Sequence, residues 1–428
     1  MPWRDTLSPV RMERVALVVP DHQRREALAV VAHSGAVDLD LPFSPGTASD
    51  EFDKAAEAAV VSGPVAAWVG WVPARSLSAL AETLATQGAA VVPLVRPRGI
   101  EPPTLIAGGR PTSVSRLLVD TYGTVPYADI DPSRLAVAAY VVMFGMMFGD
   151  VGQGALLVGV GLILRTGSIA RLKSLRKTWQ FVTAAGLASM FFGFLYGEAF
   201  GPTGLVPVLW LDPLANPVEL MIAAMVFGAI LLAGAYVIGS VNRFREGGWG
   251  YALYAQSGLA GSLLFVSLGL LAWGLFAGLS PLVATAVILA VAALALLFIG
   301  YFISAGGGGT GAFEASVEVV DAVIRLGSNV VSFARLAAFG LTHAALLTIV
   351  WNATVALWAP DWRAIAAILV FVIGNLVTFA LEALVAGIQA LRLEYYELFS
   401  RIFQTEGRAF RPWTPNLPAD LTLERPAS

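Results

Sequence analysis

The sequence has no cysteine in 428 residues. That excludes a disulfide framework, a thiolate metal site and a cysteine nucleophile. Charge is also scarce: Asp, Glu, Lys and Arg together make up 13%, against about 25% in soluble domains. Hydrophobic residues reach 57% and mean hydropathy is +0.72, so most of the chain is suited to lipid. Lysine occurs only at Lys54, Lys173 and Lys177, and this preference for arginine points to a GC-rich prokaryotic genome. With a net charge of −3 and no continuous basic surface, nucleic acid is excluded as a partner. No Walker motif is present, so no ATP hydrolysis is expected of this chain. The first residues, Met1 to Leu7, lack the apolar core of a secretory signal; the N-terminal domain is expected to stay cytoplasmic.

Up to about Asp131 the polarity is ordinary. Two stretches, Arg14 to Leu41 and Ala66 to Leu94, each read as strand, helix, strand, with Asp21 as an N-cap and a helix from Arg24 to His33. Between them Ser44 to Ser62 is short and polar, with room for one helix from Asp50 to Val60, and a Pro/Gly-rich linker follows from Pro97 to Pro111. Beyond Leu135, apolar runs succeed one another at 135–149, 153–165, 178–197, 216–241, 251–277, 281–303, 314–357 and 362–398. The first two are short, and one long tilted helix would serve their apolar content equally well. Charge decides for two: only then do Arg165, Arg171, Lys173, Arg176 and Lys177, then Arg243 and Arg245, then Arg401, Arg408 and Arg411 all fall on the cytoplasmic side. The expected fold is therefore mainly α, a polytopic bundle of about eight segments with two long tilted C-terminal helices behind a small α/β domain. Expected boundaries are 1–131, 132–400 and a C-terminal tail 401–428. Gly306 to Gly309 reads as a flexible turn.

The seventh segment carries the chemistry. At about 100° per residue, Glu314, Glu318, Asp321, Arg325, Ser328, Asn329, Ser332, Arg335, Thr342 and His343 share one arc of about 140°. Arg335 lies about 20 residues from either end of this apolar stretch. A guanidinium there costs about 2.5 kcal/mol or more and cannot snorkel to an interface, so a carboxylate partner is expected. The eighth segment repeats the pattern with Asn375, Thr378, Glu382, Gln389 and Arg392 on one side. An ion pair between Arg335 and Glu382 that merely locks two helices would leave the rest of both stripes unexplained. His343 alone suits hydrogen-bonded packing or a proton relay equally, and the hydroxyls of Ser328, Ser332, Thr342 and Thr378 suit bonds to helix backbone.

Several segments, in order, resemble a known family. Phe144-Gly145-Met146-Met147-Phe148-Gly149-Asp150-Val151-Gly152-Gln153-Gly154 is similar to the glycine-rich signature of the membrane stator subunit, called a or I, of V-type and A-type rotary ATPases. A dinucleotide or P-loop reading of those glycines fails, because no strand precedes them and no Lys-Ser/Thr follows; close helix packing fits them better. Tyr122-Gly123 to Asp131-Pro132, Phe191 to Glu198, Ser332-Phe333-Ala334-Arg335-Leu336, and Glu382 to Arg392 with Leu393-Glu394-Tyr395-Tyr396-Glu397 agree too, so the resemblance covers Tyr122 to Pro412.

What the resemblance implies is a subunit facing a rotating proteolipid c-ring, bound to peripheral-stalk and central-stalk subunits and to membrane lipid, in a prokaryotic plasma membrane with both termini cytoplasmic. It implies that Arg335 is the indispensable arginine and Arg392 a second one nearby. Glu382 and His343 fall at positions used by eukaryotic members. The ion-translocation set expected is Arg335, Arg392, Glu382, His343, Asp321, Gln389, Ser332, Asn329, Glu314 and Glu318; no cofactor or metal is expected. Two departures stand out. The two long coiled-coil arms of the family have only Ser44 to Ser62 to occupy, and Arg325 and Asn329 replace other polar residues. Rival readings are a scaffold paralogue that no longer couples transport, which the missing arms favour, and a proton-coupled secondary transporter, which the lack of an internal repeat disfavours.

Overall fold

In a computed structural model of the chain, residues 9–41, 48–96, 100–106, 118–119, 121–168, 170–403 and 406–415 are described, without the side chains of 48–50 and 170–172. The Met1–Leu7 segment, much of the Pro97–Pro111 linker and most of the expected tail lie outside them. The chain divides into two compact units.

The first unit is α/β. Strand β1 (Met12–Pro20) leads through a 3₁₀ turn, Asp21–Gln23, into α1 (Arg24–Ser34) and β2 (Asp38–Leu39). Asp21 makes no cap hydrogen bond and instead pairs with Arg24 at 3.7 Å, so the helix starts after it rather than on it. Helix α1 ends at Gly35, whose φ of 56° is a left-handed closure that favours glycine. Helix α2 (Ala48–Glu57) leads to β3 (Val60–Ser62) and β4 (Val65–Pro73), then α3 (Leu77–Ala85) and β5 (Ala90–Pro93). The sheet runs β2-β4-β1-β5, with β3 also on β4, and every pairing is antiparallel.

Alternation along β1 turns Val15, Leu17 and Val19 into a core with Leu28, Val31, Phe52 and Trp68. Residues 406–415 belong to this unit too. Thr104 bridges Ala409, Arg408 reaches Asp38 and Asp40 at 3.1 Å each, and Trp413 stacks on Phe52 while its backbone N–H donates to the Val37 carbonyl. Burial pushes the Asp38 carboxyl up, and the Arg408 guanidinium opposes that shift.

The second unit is mainly helical. It contains α4 (Ser133–Met147), α5 (Val151–Thr166), α6 (Trp179–Tyr196), α7 (Pro217–Tyr254), α8 (Leu259–Ala277), α9 (Ser280–Ser304), α10 (Gly308–Ser332), α11 (Ala334–Leu357) and α12 (Arg363–Leu393). A π-helical turn, Glu394–Phe399, and a short α13 (Ser400–Ile402) complete it. Six spans among the described residues are long and apolar enough to cross a membrane, with α10 and α11 forming one of them. Helices α4 and α5 are shorter, 15 and 16 residues, or about 22–24 Å at 1.5 Å per residue. The protein is an integral membrane protein, mainly α, with a small N-terminal α/β sheet domain.

The glycine-rich signature sits where α5 crosses α6. A Cβ on Gly154 would meet the Met190 backbone nitrogen at 2.7 Å, and one on Gly193 would meet the Val151 nitrogen at 2.4 Å. Only hydrogen at these positions lets the two backbones approach so closely. Two long segments are less regular than the hydropathy suggests. Helix α7 runs on past Arg243 to Tyr254, broken at Gly248 with φ 73°, where the sequence reads a loop after 241. The expected single helix 314–357 is two helices meeting at Phe333, which is fully buried; its ring lies where a Cβ on Gly228 of α7 would be, 2.1 Å away. Gly306, Gly307 and Gly308, all at φ near 76–79°, make the turn into α10.

Candidate functional site

Arg335 stands one residue into α11, just past the break at Phe333. It borders an open groove of about 660 Å³ lined by Pro217 and Met221 of α7, Ser328 and Ser332 of α10, and Leu341 of α11. Its Nη1 is buried without a hydrogen-bond partner. Among the described residues no carboxylate pairs directly with it, so the expected partner is absent at contact distance, and the pair with Glu382 does not form. Glu397 in the π turn accepts a hydrogen bond from Ser332 and lies within electrostatic reach of Arg335, Arg392 and Arg401. Local widening of a helix by one residue per turn is a common way to re-aim side chains at a functional site, and here it brings Glu397 toward the arginines.

Arg401 closes the same corner. Its Nε and Nη2 donate to the Asn329 side-chain oxygen at 3.2 and 2.5 Å, with the Asn329 amide oriented to accept them, and its guanidinium covers Tyr236. Asn329 is thus a fastening of α10 to the end of the α12 segment. Asp321 is paired with Arg325 at 2.5 Å, one turn on, while Glu314 and Glu318 are exposed. The apolar Phe313, Val317, Val320, Ile324 and Val331 of α10 are also exposed, and the buried face is Gly311, Ala315, Ala322 and Leu326. The polar stripe therefore runs along the border between packed and unpacked faces. On α12, Arg392 is exposed, Gln389 has a buried oxygen with no partner, and Glu382, 3% exposed, makes no hydrogen bond or ion pair among the described residues.

A second polar cluster joins His343 of α11 to residues far from it in the chain. Asp150, Glu198 and His343, all buried, bring one ligand-capable atom each within 4.8 Å of one another. Asp150 is the N-cap of α5: its Oδ1 accepts from the Gln153 N–H at 2.7 Å, and its Oδ2 from the Gly201 N–H at 3.0 Å. Beside them the Gln153 amide donates to Asn375 of α12 at 3.2 Å, and the His343 ring rests on Phe148 with centroids 4.7 Å apart. Burial, together with the Asp150 and Asp212 carboxylates, pushes Glu198, which follows α6, up to about 8. In the sequence only His343 stands out, on the polar stripe of the seventh segment; Asp150 and Glu198 fall within the glycine-rich and Phe191–Glu198 motifs. The signal was their shared presence in those motifs, with nothing in the spacing to place them together.

Together the fold and these clusters define a polytopic membrane protein with buried charge on its long C-terminal helices. Residues 60–206 match the model of the V-type ATPase 116kDa subunit family. The chain is 26% identical to the A-type ATP synthase subunit I of Pyrococcus horikoshii, over 81% of this chain and 53% of that protein. It is similarly 26% identical to the A-type ATP synthase subunit I of Archaeoglobus fulgidus, over 81% of this chain and 58% of that protein, and 27% identical to that of Methanocaldococcus jannaschii, over 81% and 54%. The chain spans about half the length of these curated relatives. The chain is thus similar to the membrane subunit called a or I of V-type and A-type ATPases.

Proposed function

We propose that the chain is the ion-translocating stator subunit of a rotary ATPase, working against a ring of small proteolipid subunits that each carry one carboxylate. The observation that carries this reading is Arg335: a permanent charge in an apolar helix pair, beside an open groove, with no ion pair among the described residues. Such a charge is costly unless something outside the chain completes it, and a ring carboxylate passing along the groove would do so. Arg335 then favours the ionised carboxylate and separates two aqueous half-channels. Glu314, Glu318 and Asp321 open one toward the cytoplasm; Glu382 and His343 open the other toward the far side. Leakage past Arg335 would dissipate roughly 2.3 kcal/mol per charge per 100 mV, so rotation is the productive route for protons, or for sodium ions if the ring selects them.

In this reading all eight apolar segments cross a prokaryotic plasma membrane and both termini are cytoplasmic, beside the stalk subunits. A scaffold paralogue is the second reading. One observation favours it: only α2, ten residues, is described between β2 and β3, where long arms would be needed to reach a peripheral stalk. Extraction of the C-terminally tagged chain in mild detergent, with mass spectrometry of what copurifies, separates the two. The motor reading expects a proteolipid together with large nucleotide-binding subunits. Their absence from a preparation that keeps other membrane complexes intact would leave the scaffold.

A further inference from the structure

The Asp150, Glu198 and His343 cluster is electrostatically incomplete. Two carboxylates are buried side by side, and among the described residues neither forms an ion pair. Buried charges need a partner, and two adjacent carboxylates need one most. Independently, both ring nitrogens of His343 lack a hydrogen-bond partner although the residue is only 1% exposed. A satisfied packing histidine would donate from one nitrogen and accept at the other. One kind of guest supplies both needs: a cation that neutralises the carboxylates and takes a lone pair from imidazole.

The cluster is also held in place. Backbone N–H groups fix both oxygens of Asp150, and Glu198 is fixed through its main chain, where its carbonyl accepts from Val151 at 2.9 Å and its N–H donates to Gly193 at 3.0 Å. The Phe148 ring seats the imidazole from one side. Such outer contacts orient ligands in metal sites.

We propose that Asp150, Glu198 and His343 form a three-ligand site for a divalent transition-metal cation of the zinc class. The mixed set of one imidazole and two carboxylates suits that class better than the all-oxygen shells of magnesium and calcium, and three protein ligands leave a fourth position for water. With ligand bonds of about 2.0–2.2 Å, ligand atoms lie at most about 4.4 Å apart, so the triangle tightens by a few tenths of an ångström on binding. The three ligands sit at the start of α5, just past α6 and within α11, so a bound ion would also cross-link three segments.

The test reads metal rather than transport, so it stands or falls apart from the motor reading. The chain, purified in detergent with a histidine-free tag, is exposed to Zn²⁺, freed of excess by desalting, and assayed by mass spectrometry of the element; Co²⁺ in place of Zn²⁺ reports ligand geometry by its visible absorption. One equivalent of zinc is expected, with a rise in thermal stability on binding and a tetrahedral cobalt spectrum. His343→Gln should bind at least about tenfold more weakly and lose the stabilisation. Because the imidazole makes no hydrogen bond, that variant should fold as well as the parent without metal. His22→Gln with His33→Gln, in the other unit, should leave binding unchanged. Uptake by His343→Gln equal to that of the parent, or no uptake by the parent, overturns the site.

Discussion

Glu397 and Glu394 lie three residues apart in the same π turn, both buried, yet their surroundings differ. Glu397 accepts from Ser332 and faces three arginines, whereas both oxygens of Glu394 lack a hydrogen-bond partner. Replacing a charge that others depend on leaves their desolvation uncompensated, while replacing one without partners relieves its own. Glu397→Gln is therefore expected to destabilise the solubilised chain by about 1–3 kcal/mol, and Glu394→Gln to be neutral or mildly stabilising. Thermal unfolding of the two variants in one detergent checks the contrast; equal losses would show that neither neighbourhood matters. Arg335 is explained at the same scale. Its electrostatic neighbour Glu397 falls in the sequence only as the last letter of a motif, beyond the polar stripe that runs from Asn375 to Arg392. A helical wheel runs unbroken through Phe333, where α10 ends and α11 begins. The arc of polar residues was legible, but Asn329 as a fastening for Arg401, and Asp321 as a partner of Arg325, were not, since both depend on which neighbour each side chain meets.

Helix crossings are set by what small residues admit. Gly154 and Gly159 both lie in α5, but a Cβ on Gly154 would meet backbone, while around Gly159 nothing lies within 4 Å. Backbone cannot give way as a flexible side chain can, so Gly154→Ala is expected to cost about 1–3 kcal/mol or more. Gly159→Ala should be neutral or stabilise by up to about 1 kcal/mol, the helix preference for alanine over glycine. Unfolding midpoints of the two variants decide it, and a similar cost for both would mean that the α5–α6 crossing is looser than described. The elements themselves were readable because hydropathy and period are local: all eight apolar segments correspond to helices or helix pairs, and both strand-helix-strand stretches correspond to strands and helices of the sheet. Helix breaks at Gly248 and Phe333 were hidden, since apolar residues continue straight through them.

For the whole molecule, the pieces that sequence could not join are those far apart in the chain. Residues 406–415 fold with the N-terminal sheet through Arg408 and Trp413, although their composition reads as a tail. Asp150, Glu198 and His343 converge from three segments, and no local spacing announces it. The family resemblance runs along the chain from Tyr122 to Pro412, and curated relatives match 81% of the chain while it spans about half of their length. The function proposed for the chain turns on one residue within that shared frame. The most direct test is Arg335→Gln in membrane vesicles that contain the whole complex, with ATP-driven ion uptake and subunit composition followed together. Uptake is expected to vanish while the proteolipid and nucleotide-binding subunits still copurify; uptake at the parent rate in an intact complex would contradict the account.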